Sequence, residues 1–468
     1  MAKKERLNEK GVPFGARQRM PIWYGAVWST RGIAAAINVV LVVYVTFYST
    51  DLLGLNPAII GGILLASRII DAFTDLGFGY ILDKTHTRWG KARPYEVFII
   101  LEWLFTILLF NTPQHASAAV QYVWIGFMYI MINAICATAL GGIDSVYLAR
   151  AFTTEQNQIK AISINGAIVM ICSIAFNIVF PSFLAAGGKT LSGWSSMVIS
   201  LGVVMAVLGI LRFIFCKEIV KDEPNEDGKR TTNDLTMKES LSAISKNKYL
   251  FIIVGLMLIT FIVNNMQSAT TYYFKYVYGD VSTQGTVAIT TLIVVPALIV
   301  FPALAKKFGT TKLLQVCSGI GIAGIAIRSL GGTNLVTLII GGILFGLGTM
   351  PISLMINTYL IDCMDYGEWK TGVRVEGLVA SIANFASKVG AGIASGLTGL
   401  VMGLAGYDGL AEVQTASANN AIVFLYNYMP LILFCVMLVL SLMYKVDSIR
   451  PQMNADLAKK HGKSSDEV

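Results

Sequence analysis

The chain has 468 residues, of which 55% are hydrophobic and only 14% charged, and its formal net charge is +8. Average soluble domains carry about 25% charged residues, so this composition excludes a disordered chain, a fibrous repeat, a disulfide-stapled miniprotein and an ordinary water-soluble enzyme. Nor does the basic balance mark a nucleic-acid groove. Most of the 36 lysines and arginines fall in alternate connections between apolar stretches, the positive-inside distribution of a multi-pass protein. It predicts a chain in the cell membrane with both termini in the cytoplasm, a lipid bilayer around it and no nucleic acid as partner.

A helix needs about 20 apolar residues to cross a bilayer core. In chain order, twelve stretches meet that need: 21–50, 57–82, 94–112, 118–149, 158–185, 193–216, 247–277, 284–305, 312–330, 333–361, 372–404 and 418–445. The fold class is an all-α integral membrane protein. The one long polar segment, 217–246, contains KDEPNEDGKRTTND and reads as a solvated cytoplasmic loop. It separates an N-terminal six-helix half (1–216) from a C-terminal one (247–445), with a cytoplasmic tail at 446–468. Twelve transmembrane helices in two halves match the major facilitator architecture, which places its substrate near the midplane. A faint internal echo agrees with two related halves. GYILDKTHTRWGKAR (79–93) follows span 2, PALAKKFGTTK (302–312) follows span 8, and both put basic residues and a glycine at the same turn.

Ionisable residues inside spans cost at least ~2.5–3.5 kcal/mol unless paired or hydrated, so each one carries information. Span 2 reads ASRIIDAFTDLGFGYILDK. Asp71 and Asp75 share one helix face, with Arg68 on the same stripe. Two carboxylates this close cannot both stay ionised without compensation. A monovalent cation or a proton would supply it; the alternative is a structural lock in which Arg68 neutralises one Asp. In span 11, Ser381, Asn384 and Lys388 form one polar stripe, suited to substrate contact or to charge exchange with the span 2 carboxylates. In span 1, Arg31 lies near Trp23, Tyr24 and Trp28, a setting that suits stacking on a sugar ring. Asp144 and Tyr147 share a face late in span 4, as ligands or as a gate. Glu102 in span 3 has no evident partner and reads as protonated and hydrogen-bonded. Asn264, Asn265 and Gln267 line a cavity or join helices.

Two loops are dense in mixed charge. The connection after span 2 holds Asp83, Arg88 and Lys91. The one after span 10, DCMDYGEWKTGVRVEG, holds Asp365, Glu368, Arg374 and Glu376. Together they read as a cytoplasmic gate. The six cysteines (Cys136, Cys172, Cys216, Cys317, Cys363 and Cys435) are scattered and form no C-x-x-C pair, so neither a metal nor a cofactor is expected beyond a coupling ion. The histidines lie in loops or the tail, and no loop is long enough for a catalytic domain, which argues against a membrane enzyme.

The stretches RIIDAFTDLGFGYILDKTHTRWGKARP (68–94) and DYGEWKTGVRVEG (365–377), with Lys388 and Gly406–Tyr407 beyond them, resemble the glycoside–pentoside–hexuronide:cation symporters of the major facilitator superfamily. The resemblance implies import of such a sugar with Na⁺ or H⁺ by alternating access, in a chain able to act as a monomer. The alternative is an uncoupled or proton-only sugar facilitator with a degenerate cation site. The resemblance implies that Asp71 and Asp75 bind the cation, that Thr138 matches the family's span 4 threonine there, and that Lys388 and Arg68 match a lysine near the sugar and cation sites and an arginine of the same helix; the residues themselves add Trp28, Arg31, Asp144, Tyr147 and Asn384 as substrate candidates. In span 1, Arg31 takes the place of the family's lysine and Gly32 that of its aspartate. In span 4 the family's acid falls at Leu140, Gly141, Gly142 or Asp144. An Arg31 without a nearby acid would favour an anionic sugar.

Overall fold

The computed structural model describes residues 20–218 apart from 84, 86, 88, 153 and 189, and residues 244–460 apart from 373, 374 and 376. Among these, secondary structure is helical save one isolated bridge between Thr87 and Gly90. Ten helices among the described residues are long and apolar enough to cross a membrane. The places of spans 3 and 8 are helical but segmented. Span 3 is Phe98–Leu109 behind a 3-10 turn at Arg93–Val97, where Pro94 sets the first turn. Span 8 runs from Thr283 to Phe308 and is interrupted by a 3-10 turn at Ile289–Ile293.

One expectation is corrected. The charged stretch after span 10 is not a loop as far as Thr371: Leu335–Thr371 is continuous helix, with Pro351 inside it and a kink at Met355, and it stops at Gly372 with φ +79. Asp365 and Glu368 therefore stand on the last turns of a helix. The tail carries a helix of its own, Val446–Lys460.

The chain forms two compact units. One comprises Met1–Lys229, Asp280–Thr286 and Gly406–Gln414; the other comprises Arg230–Gly279, Val287–Ala405 and Thr415–Val468. Two connections from the second half of the sequence thus belong to the first unit. Tyr407 donates to Asp51 Oδ2 at 2.7 Å, and Gln284 donates to the Tyr44 hydroxyl at 3.4 Å.

Each unit repeats one device. In the first, Glu218 comes after the span 6 helix (Leu191–Phe215) and accepts from the backbone N–H groups of Lys91, Ala92 and Arg93 at 3.0, 2.7 and 2.5 Å, at the start of span 3. Arg150, at the end of span 4, pairs with it at 3.0 Å. In the second, Asp447 comes after span 12 and accepts from Thr311 N–H at 2.7 Å and the Thr310 hydroxyl at 3.0 Å, at the start of span 9. Arg450 pairs with Asp447 at 2.9 Å and with Asp362 of span 10 at 2.5 Å. The free N–H groups of a helix start favour a carboxylate. Both seats require glycine. Gly90 (φ +119) and Gly309 (φ +88) lie in the left-handed half of backbone space, and a Cβ on either would overlap the carboxylate. This is the echo between 79–93 and 302–312. Glu218 also corrects the reading of 217–246 as wholly solvated, because it is buried.

Replacing Glu218 by Ala would leave Arg150 and three backbone donors without their anion, a loss on the order of 3–5 kcal/mol for breaking a buried pair. Gly309→Ala would be destabilising through the Cβ overlap. Thermal unfolding in detergent should show a clearly lowered midpoint for both. An unchanged midpoint in either would remove that carboxylate seat from the structural account.

Candidate functional site

The span 2 helix, Pro57–Asp83, presents Arg68, Asp71 and Asp75 toward span 4. Span 4 is not a regular helix there. Ala118–Ile130 passes through a π-helical turn, Met131–Ala137, before α-helix resumes at Thr138. Such a turn carries one extra residue and re-aims the side chains beyond it. Its effect is to bring the Thr138 hydroxyl between the two carboxylates, 3.0 Å from Asp71 Oδ1 and 2.9 Å from Asp75 Oδ1. Asp71 is only 2% exposed. Arg68 Nη1 lies 3.5 Å from Asp71 Oδ2, and its guanidinium sits over the Tyr129 ring at 5.4 Å. A hydroxyl has one proton to donate. It can satisfy one of the two carboxylate oxygens at a time.

A second cluster lies in the same unit. Arg31 of span 1 and Arg212 of span 6 are buried side by side. Both bond Asp144 Oδ1, Arg212 at 3.0 Å, and both face Glu96 Oε1, at 3.8 Å from Arg31 and 3.5 Å from Arg212. The Arg212 guanidinium stacks on Trp28 at 3.8 Å and approaches Tyr147 at 4.8 Å. Trp28 and Tyr147 are themselves buried, and the Tyr147 hydroxyl donates to the Cys216 carbonyl at 2.8 Å. Trp28, Arg31 and Tyr147 thus face one another and Arg212 in a sealed cluster. The premise that Arg31 lacks an acid is corrected by Asp144 and Glu96. Glu102 is buried as well, and its Oε2 has no hydrogen-bond partner among the described residues.

The remaining candidates are more dispersed. Lys388 is half-buried and Asn384 exposed on the Gly377–Leu404 helix of the second unit. Asn264 reaches the Ser353 hydroxyl at 3.4 Å. Glu368 is buried and Asp365 half-buried at the end of the span 10 helix. Lys91 offers its backbone N–H to Glu218. Arg88, Arg374, Glu376 and the side chain of Asp83 lie outside the described residues. Residue reasoning missed Glu96, Arg212 and Arg328. Arg212 and Arg328 are charges within apolar spans, a signal sufficient to find them. Arg328 lies over Tyr426 at 4.0 Å and donates to Asn427 Oδ1 at 3.0 Å.

Residues 32–448 match the model of the family described as MFS/sugar transport protein. The chain belongs to that family. The isoprimeverose transporter of Lactiplantibacillus pentosus is 31% identical over 430 residues, covering 90% of this chain and 88% of its own. The glucuronide carrier protein homolog of Escherichia coli (strain K12) is 27% identical, covering 79% and 80%. The likeness to the glycoside–pentoside–hexuronide:cation symporters is borne out by these relatives, and this membership makes the chain a multi-pass membrane transporter and not an enzyme. Solved transporters share the fold. The nucleoside transporter NupG (D323A mutant) superposes with a TM-score of 0.61 at 15% identity over 89% of this chain and 99% of its own. A D-xylose-proton symporter gives 0.59 at 13% identity, covering 88% and 96%. Gly141, three residues beyond Thr138, has open space where a side chain would stand.

Within the buried cluster, Glu96 is fully enclosed while the Asp144 side chain is 50% exposed. Glu96→Gln should therefore cost on the order of 3–5 kcal/mol and Asp144→Asn about 1 kcal/mol. Unfolding midpoints of the two variants compare them directly. The opposite order would make Asp144 the main counter-ion.

Proposed function

We propose that the protein is a secondary active transporter. It imports a glycoside, pentoside or hexuronide together with a monovalent cation, H⁺ or Na⁺, by alternating access. The observation that supports this most directly is the Thr138 hydroxyl held between Asp71 and Asp75. A proton or cation on that pair relieves the repulsion between two carboxylates, and relief of that kind is what a coupling ion contributes. Because linkage is reciprocal, sugar must raise cation affinity by the same factor that the cation raises sugar affinity. Arg68 sets the charge of the pair, and Asn384 and Lys388 contact substrate from span 11. Asp83, Arg88, Lys91, Asp365, Glu368, Arg374 and Glu376 form the cytoplasmic gate. The chain works as a monomer in the cell membrane with both termini in the cytoplasm, the face on which its basic connections gather.

The cargo we favour is a neutral glycoside. Arg31 and Arg212 are already met by Asp144 and Glu96, so neither is free to hold a uronate. A second reading, a proton-only porter or facilitator, draws on Gly141: without an acid there, the site offers two carboxylates and one hydroxyl.

Asp71→Asn and Asp75→Asn in proteoliposomes should each abolish cation-driven accumulation and leave counterflow exchange measurable. Concentrative uptake at the wild-type level in both variants would end the coupled reading. Uptake that ignores sodium and lithium but collapses with the proton gradient would select the proton-only form. A panel of labelled neutral and acidic glycosides tests the cargo in the same vesicles.

A further inference from the structure

Glu102 stands apart from the mechanism just described. It lies on the span 3 helix Phe98–Leu109, is 1% exposed, and its Oε2 accepts no hydrogen bond among the described residues. Arg31 from span 1 and Cys136 from the π-helical turn of span 4 act on it directly, and Arg31 is in turn surrounded by Glu96, Arg212, Asp144 and Tyr147. The Ala118–Ile130 helix, also packed on span 3, carries Tyr122 and Tyr129 and no charged residue.

Charge balance decides the state of this acid. Arg31 and Arg212 contribute two positive charges. Glu96 and Asp144 contribute two negative ones, and all four are joined by contacts of 3.8 Å or less. An ionised Glu102 would add a third negative charge beside the two paired arginines in a low-dielectric interior, which is the costly case. A proton on Glu102 removes that charge.

We propose that Glu102 is a proton-binding site, distinct from the Asp71–Asp75–Thr138 pair, whose occupancy is set by whether Asp144 holds Arg31. Asp144 is the member of the cluster open to solvent, with its side chain half exposed. While it clamps Arg31, Glu102 keeps its proton. When Asp144 lets go, Arg31 loses its nearest counter-charge, and Glu102 releases H⁺ and becomes that counter-charge itself. The link to the first site runs along one short stretch of chain. Cys136, which faces Glu102, lies two residues before Thr138, and Asp144 is on the same helix as Thr138, Thr138–Ala151. A displacement of that helix by cation binding at Thr138 would carry Asp144 with it. This linkage, unlike the proton site itself, rests on the cation reading proposed above.

Infrared difference spectroscopy on the full chain in lipid at neutral pH, without sugar or sodium, tests the proposal independently of transport. Wild type minus Glu102→Gln should show the carbonyl stretch of a protonated carboxyl in apolar surroundings. Asp144→Asn should lose the same band, because Arg31 then draws Glu102 into ionisation. Unchanged amide bands in both variants confirm that the fold is kept. Absence of the band from the wild type minus Glu102→Gln difference would overturn the site. Its full persistence in Asp144→Asn would overturn the control by Arg31. Neither result depends on the outcome of the Asp71 and Asp75 uptake test.

Discussion

Charge inside an apolar helix bundle has to be matched by opposite charge or removed by a proton, and the first unit is organised around that requirement. Spans 1, 3, 4 and 6 each contribute to the cluster of Arg31, Glu96, Asp144 and Arg212. Each span is therefore tied to the others by an interaction stronger and more directional than the packing of apolar side chains. The aromatic faces of Trp28 and Tyr147 complete the enclosure by lying against Arg212. Span 2 stands outside this cluster. It carries its own acids, Asp71 and Asp75, and meets span 4 through Thr138. Span 4 is thus the shared wall between the Arg31–Arg212 cluster and the Asp71–Asp75 pair.

The same requirement operates at the ends of the helices. A carboxylate after the sixth span of each half is seated on the start of the third span, with a positive-φ glycine making room and an arginine beside it. Repetition of the device in both units is physical support for descent of the halves from one repeat, and it comes from geometry that a degenerate sequence echo conceals. It also holds three helix ends of each unit together: spans 3, 4 and 6 in one, spans 9, 10 and 12 in the other.

Much of this is legible from residues four apart and little of it from residues a hundred apart. Asp71, Asp75 and Arg68 fall on one stripe by helical period alone, and the apolar spans announce themselves by length. Thr138 emerges only through resemblance, because no periodicity predicts a π-helical turn that re-aims it. Arg31 has no acid near it in sequence, because Asp144 is distant and meets it only after spans 1 and 4 pack together. Glu218 reads as part of a solvated charge run, since its burial depends on backbone donors of the span 2–3 connection. The helix through Asp365 to Thr371 reads as a loop because charge density, and not a break in helix-forming residues, suggests the boundary. Periodicity reports local faces; partners chosen by packing are invisible to it.

The geometry of span 4 also bears on which ion the pair can take. The π-helical turn fixes Thr138 on Asp71 and Asp75, and Gly141, nearly one turn further along, contributes no side chain. A bare cation must recover from protein oxygens what it loses in hydration, so removing one carboxylate from its shell weakens the site disproportionately. A proton has no such shell to replace, because it bonds to one oxygen and is shared with a second. A shortage of protein oxygens would therefore weaken a sodium site more than a proton site. In this protein the two carboxylate oxygens meet at one hydroxyl, each within 3.0 Å of it.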